Sequence, residues 1–154
     1  MPLKAKPVRA SRTQIADLMF PADANSRGTV FGGVVLKMVD KAASVCAYRH
    51  AGGACVTVAM ERIEFRVPIY VGEFVVMESQ INFVGSTSME IGVEVYAENL
   101  ETGKRRHTNS CFVTMVSVNK AGSPKKVPGL LLETPEEKSR CREALLRRQQ
   151  RLAR

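Results

Sequence analysis

The sequence has no tryptophan, and its only histidines are His50 and His107. A Ser-His-Asp or Cys-His catalytic site requires a histidine beside a nucleophile. His50 stands where a helix-end cation is favoured, and His107 falls in a segment typical of a strand. We therefore expect neither histidine to be catalytic.

Cofactor motifs and membrane segments are also missing. The four cysteines (Cys46, Cys55, Cys111 and Cys141) form no C-x-x-C pair, so they predict neither a zinc site nor a disulfide framework. No G-x-G-x-x-G or Walker loop occurs. No apolar run approaches the ~18 residues of a membrane span, and the start MPLKAKPVRASRTQ lacks the apolar core of a secretory signal. We expect a cytoplasmic protein without a metal site or a membrane partner.

The net charge of +8 is concentrated at the two ends of the chain. Residues 1–12 carry +4 and residues 120–154 carry +6, which leaves −2 on residues 13–119. Basic ends are commonly solvated, although they can also contact a phosphorylated ligand or an RNA. The body has no surface of interleaved aromatic and basic residues that would bind single-stranded nucleic acid. We therefore expect no nucleic-acid partner.

Length and composition predict one folded domain. The chain has 154 residues, 45% hydrophobic and 25% charged, as in average soluble globular proteins. We divide it into a basic N-terminal arm over residues 1–12, a single domain over 13–132 and a basic C-terminal helix over 133–154. Thr134 and Glu137 form the capping-box pattern that opens this last helix. The predicted packing stripe of the helix comprises Cys141, Ala144, Leu145 and Leu152.

Hydrophobic patterning predicts one long helix among five strands. The helix starts at Phe31 and ends at the motif RHAGG, where basic residues and glycines favour a C-terminus. Its apolar residues cover most of its circumference, so we expect other elements to wrap it. The predicted strands are 13–20, 54–67, 73–84, 89–100 and 107–119. This order predicts an α+β hot-dog fold, in which an antiparallel β-sheet is wrapped around a long central helix, with an additional C-terminal helix.

A lone carboxylate, Asp40, lies about two turns inside the predicted helix. It is too far from the N-terminus to act as a cap. One interpretation is a solvated side chain that pairs with Lys37 or Lys41. The other is a general base or nucleophile in an apolar pocket, where burial adjusts its basicity. The residues alone leave both interpretations open.

Three residues that precede Asp40 have the chemistry to contact a substrate carbonyl. Asn25 lies in the loop ADANSRGTV, either as an ordinary turn residue or as an amide that donates a hydrogen bond to a carbonyl. Gly32 and Gly33 open the helix, where backbone N–H groups without partners can form an oxyanion hole. The alternative role of the two glycines is close packing of the helix against the sheet.

The stretch DANSRGTVFGGVVLKMVD resembles the signature of hot-dog acyl-CoA thioesterases, in particular the cytosolic (brain-type) acyl-CoA hydrolases and their bacterial YciA-like relatives. The matching positions are Asp23, Asn25, Gly28, Gly32, Gly33, Met38 and Asp40. The similarity continues through AYRH, FRVPIYVGE and AENLETGKRRHTNSCFVTMVSV to the basic C-terminal segment, so it covers most of the chain.

This resemblance implies hydrolysis of acyl-CoA thioesters to carboxylic acid and CoA, without a metal or an organic cofactor. In the family the site lies between two subunits, with the acid, here Asp40, from one and the loop asparagine, here Asn25, from the other. Asp40 would activate water or attack the thioester directly. Asn25 and the backbone N–H near Gly33 would hold the carbonyl and its developing charge.

The resemblance also implies where the coenzyme binds and how the chain assembles. The residues that would contact substrate or CoA are Gly32, Ser86, Thr87 and Ser88, the last three in the turn GSTS. A homodimer would be the minimal active unit, and related enzymes often assemble into trimers of dimers. Val34 and Val35 stand where bacterial relatives often carry an aromatic residue, so the acyl-chain preference stays open.

Two other functions of this fold are alternatives. A hot-dog dehydratase typically relies on a histidine near the helix, and no histidine precedes His50. A non-catalytic acyl-CoA sensor or binding module would keep the CoA pocket without needing the acid. The presence of both Asn25 and Asp40 at the family's spacing favours the enzyme.

Overall fold

The computed structural model describes residues 3–153. The elements in chain order are β1 (Lys6–Pro7), β2 (Thr13–Leu18), α1 (Gly32–Ala51), β3 (Cys55–Glu61), β4 (Phe74–Val84), β5 (Ser88–Glu98), β6 (Arg105–Ser117), β7 (Leu130–Leu131) and α2 (Pro135–Leu152). Five strands form one antiparallel sheet in the order β2-β4-β5-β6-β3, and β1 pairs with β7 in parallel. This confirms the predicted α+β architecture, an antiparallel sheet with a long helix and a C-terminal helix.

The sheet and α1 share one hydrophobic core. Alternating residues of the central strands β4, β5 and β6 face the helix and are almost completely buried. Small residues on the helix let its backbone approach the sheet, and Ser79 Oγ of β4 donates a 2.9 Å hydrogen bond to the Ala42 carbonyl oxygen. The helix ends at Gly52, whose φ of 76° is left-handed and whose N–H donates to the Tyr48 carbonyl. The motif RHAGG predicted this C-terminus.

The strand predicted over residues 54–67 is shorter in the structure. It ends at Glu61 because Arg62 takes a left-handed conformation with φ of 60°. Residues 62–67 leave the sheet and run toward the start of α1, where the Phe65 ring lies against Gly32. Residues 62–67 therefore do not continue the strand; they form a wall of the site described below.

The basic N-terminal arm is packed against the domain where the structure describes it. Val8 and Ser11 are fully buried, and β1 pairs with β7. The expectation of a solvated end is therefore wrong for residues 6–11, because an apolar side chain and backbone pairing hold this segment down. Residues 1–2, at the start of the predicted arm, lie outside the described residues.

Helix α2 opens with the predicted capping box. The Thr134 hydroxyl accepts a hydrogen bond from the Glu137 N–H, and the Glu137 carboxylate accepts one from the Thr134 N–H. The predicted packing stripe is wrong in part, because Leu145 and Leu152 are 37% and 68% exposed. Arg154, at the end of the predicted helix, lies outside the described residues.

A buried ion pair docks α2 onto the outer face of the sheet instead. Arg147 donates to both carboxylate oxygens of Glu90 on β5, at 2.6 and 3.1 Å, and its guanidinium lies 3.6 Å from the centre of the Phe112 ring. Asn82 also donates to the same carboxylate, at 3.0 Å. Hydropathy cannot predict this contact, because arginine counts as a surface residue until its partner is known.

His50 is fully buried and is not a helix-end cation. Its Nε2 lies 2.8 Å from the Pro128 carbonyl oxygen, which ties the end of α1 to the segment before β7. Burial lowers the pKa of His50, because the charged imidazolium would lose its hydration. The side chain therefore packs as a neutral imidazole.

Candidate active site

Asp40 is held in place by the edge strand β3. Thr57 Oγ1 donates a hydrogen bond to Asp40 Oδ1 at 2.5 Å. Within residues 3–153, Asp40 forms no ion pair with Lys37 or Lys41, so the pairing that the sequence allowed is not present. Oδ2 has no hydrogen-bond donor among these residues. One oxygen is thus oriented by the protein, and the other can accept a proton or contact a substrate.

A groove of about 450 Å³, here called the Asp40 groove, runs between α1 and the edge strand β2. Met38, Asp40 and Val45 line it from α1, and Ala16 lines it from β2. Because β3 reaches the same carboxylate through Thr57, both edges of the curved sheet approach the Asp40 side of the helix.

Asn25 lies in the loop before α1 and forms an Asx turn. Its Oδ1 accepts hydrogen bonds from the N–H groups of Arg27 and Thr29, at 2.8 and 3.2 Å. Its Nδ2 donates to Thr29 Oγ1 at 2.8 Å and keeps a second hydrogen for another acceptor. Asn25 and Gly32 line a cavity of about 330 Å³, here called the Asn25 cavity, with Phe65 on its wall.

The paired glycines at the start of α1 both lie close against an aromatic ring. A Cβ on Gly33 would lie 2.5 Å from the Phe31 ring, and a Cβ on Gly32 would lie 3.2 Å from the Phe65 ring. Neither glycine N–H has an acceptor within the described part of the chain. The glycines thus pack against rings that lie outside the sheet, and not against the sheet as the packing alternative expected, while their N–H groups face no acceptor among these residues.

A single chain does not bring Asp40 and Asn25 together. They line different cavities, and Asp40 lies about 12 Å along the helix axis from Gly32. One thioester group, which spans only a few ångströms, cannot contact both in this arrangement. Within one chain, the acid and the amide belong to two half-sites.

The turn with Ser86, Thr87 and Ser88 lies at the far end of the sheet from the Asn25 cavity. β4 has 11 residues, so its two ends are roughly 33 Å apart. The carbonyl oxygens of Ser86 and Thr87 accept hydrogen bonds from Val127 and Ser117, which fix the turn on the domain. The structure thus does not bring this turn to Gly32 within one chain.

Thr57 and the ion pair between Glu73 and Arg106 could not be identified from the sequence. Thr57 looked like an ordinary strand residue, and no local signal marked it as the partner of Asp40. Arg106 binds the Glu73 carboxylate through two guanidinium nitrogens and also donates to the Pro68 carbonyl oxygen at 2.5 Å. The Glu73 carboxylate accepts the Tyr70 N–H at 2.8 Å as well.

This ion pair anchors a wall of the Asn25 cavity. The Val30 N–H donates to the Ile69 carbonyl at 2.7 Å, so the anchored segment in turn holds the loop of Asn25. Burial acts to raise the pKa of Glu73, but hydrogen bonds from Arg106 and the Tyr70 N–H outweigh it and lower that pKa.

His107 and the buried cysteines are not arranged for nucleophilic catalysis in this chain. On the outer sheet face, Ser110 Oγ and Glu94 Oε2 both contact His107 Nε2, at 3.1 and 2.6 Å. A catalytic triad needs the acid and the nucleophile on opposite ring nitrogens, so this cluster is not one. Burial raises the pKa of Cys46 and Cys111 to about 11, which keeps both thiols protonated at neutral pH.

No group of three or more His, Cys, Asp or Glu side chains within residues 3–153 is arranged to hold a metal ion. Neither α1 nor α2 is long and apolar enough to cross a lipid bilayer.

A family model described as the thioesterase superfamily matches residues 27–104. This span is about half of the chain and contains the paired glycines, Asp40 and Thr57. The chain therefore belongs to the thioesterase superfamily.

Three relatives illustrate the similarity. Protein VdlD of Helicobacter pylori is 37% identical over 144 residues, 92% of this chain and 82% of that protein. The uncharacterized acyl-CoA thioester hydrolase YkhA of Bacillus subtilis is 37% identical over 134 residues, 87% of this chain and 74% of that protein. The cytosolic acyl coenzyme A thioester hydrolase of Mus musculus is 36% identical over 138 residues, 88% of this chain but only 36% of that longer protein.

Solved structures confirm the predicted fold. The crystal structure of an apo-hexameric acyl-CoA thioesterase has a TM-score of 0.94 and 38% identity, covering 98% of this chain and 97% of that one. An acyl-CoA hydrolase from Staphylococcus aureus, solved with butyryl coenzyme A, coenzyme A and coenzyme A disulfide, has a TM-score of 0.89 and 29% identity. The match covers 97% of this chain and 91% of that one.

Three variants of the Staphylococcus aureus hydrolase have also been solved, each with alanine in place of one polar residue. The replaced residues are an asparagine, an aspartate and a threonine. They follow one another in the order and at the spacing of Asn25, Asp40 and Thr57 in this chain.

Proposed function

We infer that this protein is an acyl-CoA thioesterase, which hydrolyses an acyl-CoA thioester to a carboxylic acid and free CoA. The observation that carries this inference is the carboxylate of Asp40, oriented by Thr57 and open at Oδ2 on the wall of a largely apolar groove. Membership of the thioesterase superfamily and relatives named as acyl-CoA hydrolases support the substrate class.

Asp40 is the proposed general base or nucleophile. As a base, Oδ2 takes a proton from water while the water oxygen bonds to the thioester carbonyl carbon. The C–S bond then breaks, and the CoA thiolate leaves and takes up a proton. As a nucleophile, Oδ2 would itself attack the carbonyl carbon, the C–S bond would break and the CoA thiolate would leave with uptake of a proton. The resulting anhydride is then cleaved by water, which releases the carboxylic acid and restores the Asp40 carboxylate. Both routes require the same side chain in the same place.

Asn25 and the start of α1 are the proposed carbonyl-binding groups. Within residues 3–153, the second hydrogen on Asn25 Nδ2 and the N–H of Gly33 have no acceptor. The positive end of the helix dipole lies behind the glycines, which favours the negative charge that develops on the carbonyl oxygen. Gly32, Ser86, Thr87 and Ser88 are the proposed contacts to substrate and CoA.

The proposed site is completed by a second copy of the chain. Because Asp40 and Asn25 line separate cavities of one chain, the acid of one copy would act with the amide of another. The similarity to a hexameric thioesterase supports an assembly of this kind. We propose a homodimer as the minimal active unit, within a trimer of dimers. We also propose that the reaction needs no metal or organic cofactor, and that the enzyme acts in the cytoplasm without nucleic-acid or membrane partners.

The test is free-thiol release from a panel of acyl-CoAs by the wild type, Asp40→Asn and Asn25→Ala. Wild-type turnover, with a loss of at least about 100-fold in Asp40→Asn, would support the proposal. Glu101→Gln, which removes a carboxylate from an exposed turn, is the matched control and should retain full activity. If acyl-CoAs bind but none is hydrolysed by the wild type, the protein is an acyl-CoA binding module instead.

A further inference from the structure

Residues 62–67, here called the strap, line the Asn25 cavity but are only loosely held. Within residues 3–153, no backbone or side-chain hydrogen bond joins the strap to another part of the chain. Its one ion pair, between Arg66 and Glu64, lies within the strap and is exposed. Ile63 is half-buried against the core, and the other strap residues are exposed. A segment with so few contacts can open locally at little cost in free energy.

Both ends of the strap are fixed, and its first residue is strained. Glu61 pairs with Phe112 in the sheet, and the Ile69 carbonyl accepts the Val30 N–H at 2.7 Å. Between these anchors, Arg62 has a φ of 60° and is the one non-glycine residue within 3–153 with a positive φ. Such conformations cost free energy and occur at ligand clamps and switch regions. This arrangement is that of a segment hinged at Arg62.

Phe65 is the strap residue that reaches the proposed carbonyl-binding groups. Its ring lies 3.2 Å from the position that a Cβ on Gly32 would take, and it lines the same cavity as Asn25. A carbonyl oxygen bonded to the Gly33 N–H would lie within about 3 Å of that nitrogen, at the end of α1 that the ring contacts. The ring would therefore lie beside a bound thioester group.

The Phe65 ring is 55% exposed, although it packs on Gly32. Covering this apolar surface with a bound substrate would be favourable, which gives the strap a reason to close. The closed ring would also exclude water from the carbonyl. Hydrogen bonds to a developing negative charge are stronger where water is excluded, so closure would assist the chemical step.

Resting on the proposed function, we propose that the strap is a lid over the Asn25 cavity, hinged at Arg62, and that Phe65 is the lid residue that covers the bound thioester. When an acyl-CoA binds, the ring closes over the carbonyl and holds it toward Asn25 and the Gly33 N–H. The strap swings away about Arg62 when the products leave.

The first experiment measures thiol release from the acyl-CoA panel by the assembled Phe65→Ala variant. We expect kcat to fall at least about tenfold, with KM changed less than about threefold, because the lost cover weakens stabilisation of the transition state. The ring is largely exposed, so the Tm should stay within about 2 °C of the wild type.

Two further variants separate the lid from a general loss of apolar surface. Phe65→Leu keeps an apolar cover and should retain at least about half of the wild-type kcat. Leu146→Ala removes a side chain that is 58% exposed on α2 and should hydrolyse the panel as the wild type does.

Trypsin tests the movement of the strap directly, because it cleaves after Arg66 when the strap is open. The Asp40→Asn variant is used so that butyryl-CoA, the added ligand, stays intact. Saturating butyryl-CoA should slow cleavage after Arg66 at least about fivefold, since the closed strap is the bound form. Cleavage after Lys120, in an exposed turn, is the internal control and should keep its rate.

The remaining outcomes count against the lid in distinguishable ways. If Phe65→Ala has the wild-type kcat, or if bound butyryl-CoA leaves cleavage after Arg66 unchanged, the strap is not a lid and the proposed function stands. If Phe65→Ala changes the elution volume of the assembly, the strap is an interface between copies and the lid is overturned. If the wild type hydrolyses no acyl-CoA, both the lid and the proposed function fail.

Discussion

The Thr57 hydroxyl donates a 2.5 Å hydrogen bond to Asp40 across the gap between the edge strand β3 and the helix α1. A β-bulge between Thr57 and Ala59 shifts the register of this strand at that point. Bulges commonly re-aim side chains near active sites. This hydrogen bond explains how the Asp40 carboxylate keeps one orientation although its other oxygen is open to the groove.

Removing the Thr57 hydroxyl should lower catalysis without unfolding the protein. Thr57→Val keeps the shape of the side chain but cannot donate, and we expect kcat to fall about 10- to 100-fold because Asp40 loses its orienting bond. Thr57→Ser keeps the donor and should retain most of the activity. Thiol-release kinetics and thermal unfolding on both variants check this. Equal activity of the valine and serine variants would contradict the role of the bond.

Mixing two inactive variants should restore activity if the site is shared. Asp40→Asn and Asn25→Ala each break one half of every site in a homodimer. In a mixed dimer, the Asp40 of one subunit meets the Asn25 of the other, so one intact site returns. After unfolding and refolding an equal mixture, we expect about one quarter of the wild-type activity. If the mixture stays as inactive as its components, each site belongs to a single chain.

Gly33→Ala should disturb the start of α1 through the Phe31 ring. The new Cβ would lie 2.5 Å from that ring, and the overpacking should lower the free energy of unfolding by about 1–3 kcal/mol. The double variant Gly33→Ala/Phe31→Ala should recover part of this loss, because it lacks the ring that the new Cβ would contact. Gly53→Ala is the control, since a Cβ there meets nothing within 4 Å. Urea denaturation of the four proteins measures the difference, and similar losses for Gly33→Ala and Gly53→Ala would refute the packing role.

Glu73→Gln should loosen the wall of the Asn25 cavity. The variant weakens the bonds to Arg106, and we expect a loss of about 1–3 kcal/mol in the free energy of unfolding together with a raised KM. Glu78→Gln breaks the exposed pair with Arg105 and should cost less than about 1 kcal/mol. Because the pKa of Glu73 is lowered in the folded state, its contribution is present above the ordinary value of 4.5 and is lost as the pH falls. The difference in stability between wild type and Glu73→Gln should therefore shrink below that value.

His50 should make the protein less stable in mild acid. Its pKa is lowered by burial in the folded state, so below the ordinary value of 6.5 the unfolded chain binds a proton that the folded chain does not. The free energy of unfolding should fall by up to about 1.4 kcal/mol per pH unit below that value, until the folded-state pKa is reached. Denaturant titrations at several pH values check this. Glutamine cannot titrate, so the free energy of unfolding of His50→Gln should fall less steeply with decreasing pH than that of the wild type, between neutral pH and the folded-state pKa of His50.

The sequence by itself predicted the architecture and the main candidates. Helix periodicity from Phe31 to RHAGG, four later strand-forming runs bounded by turn residues and the capping box at Thr134 each reflect local preferences that a single segment carries. Because the helix could be recognised from its own residues, the position of Asp40 about two turns inside it was enough to mark this carboxylate as unusual. The resemblance carried by Asn25, the paired glycines and Asp40 predicted the superfamily.

Only the tertiary structure decided which side chains meet. The bonds from Thr57 to Asp40, from Arg106 to Glu73 and from Arg147 to Glu90 join different elements, and no local pattern encodes such pairs. His50, which the sequence predicted as a helix-end cation, is buried and bonded to the segment before β7. The physical reason is common to all four: a residue's own preferences fix its element, whereas its burial and partners depend on the packing of elements that lie far apart in the chain.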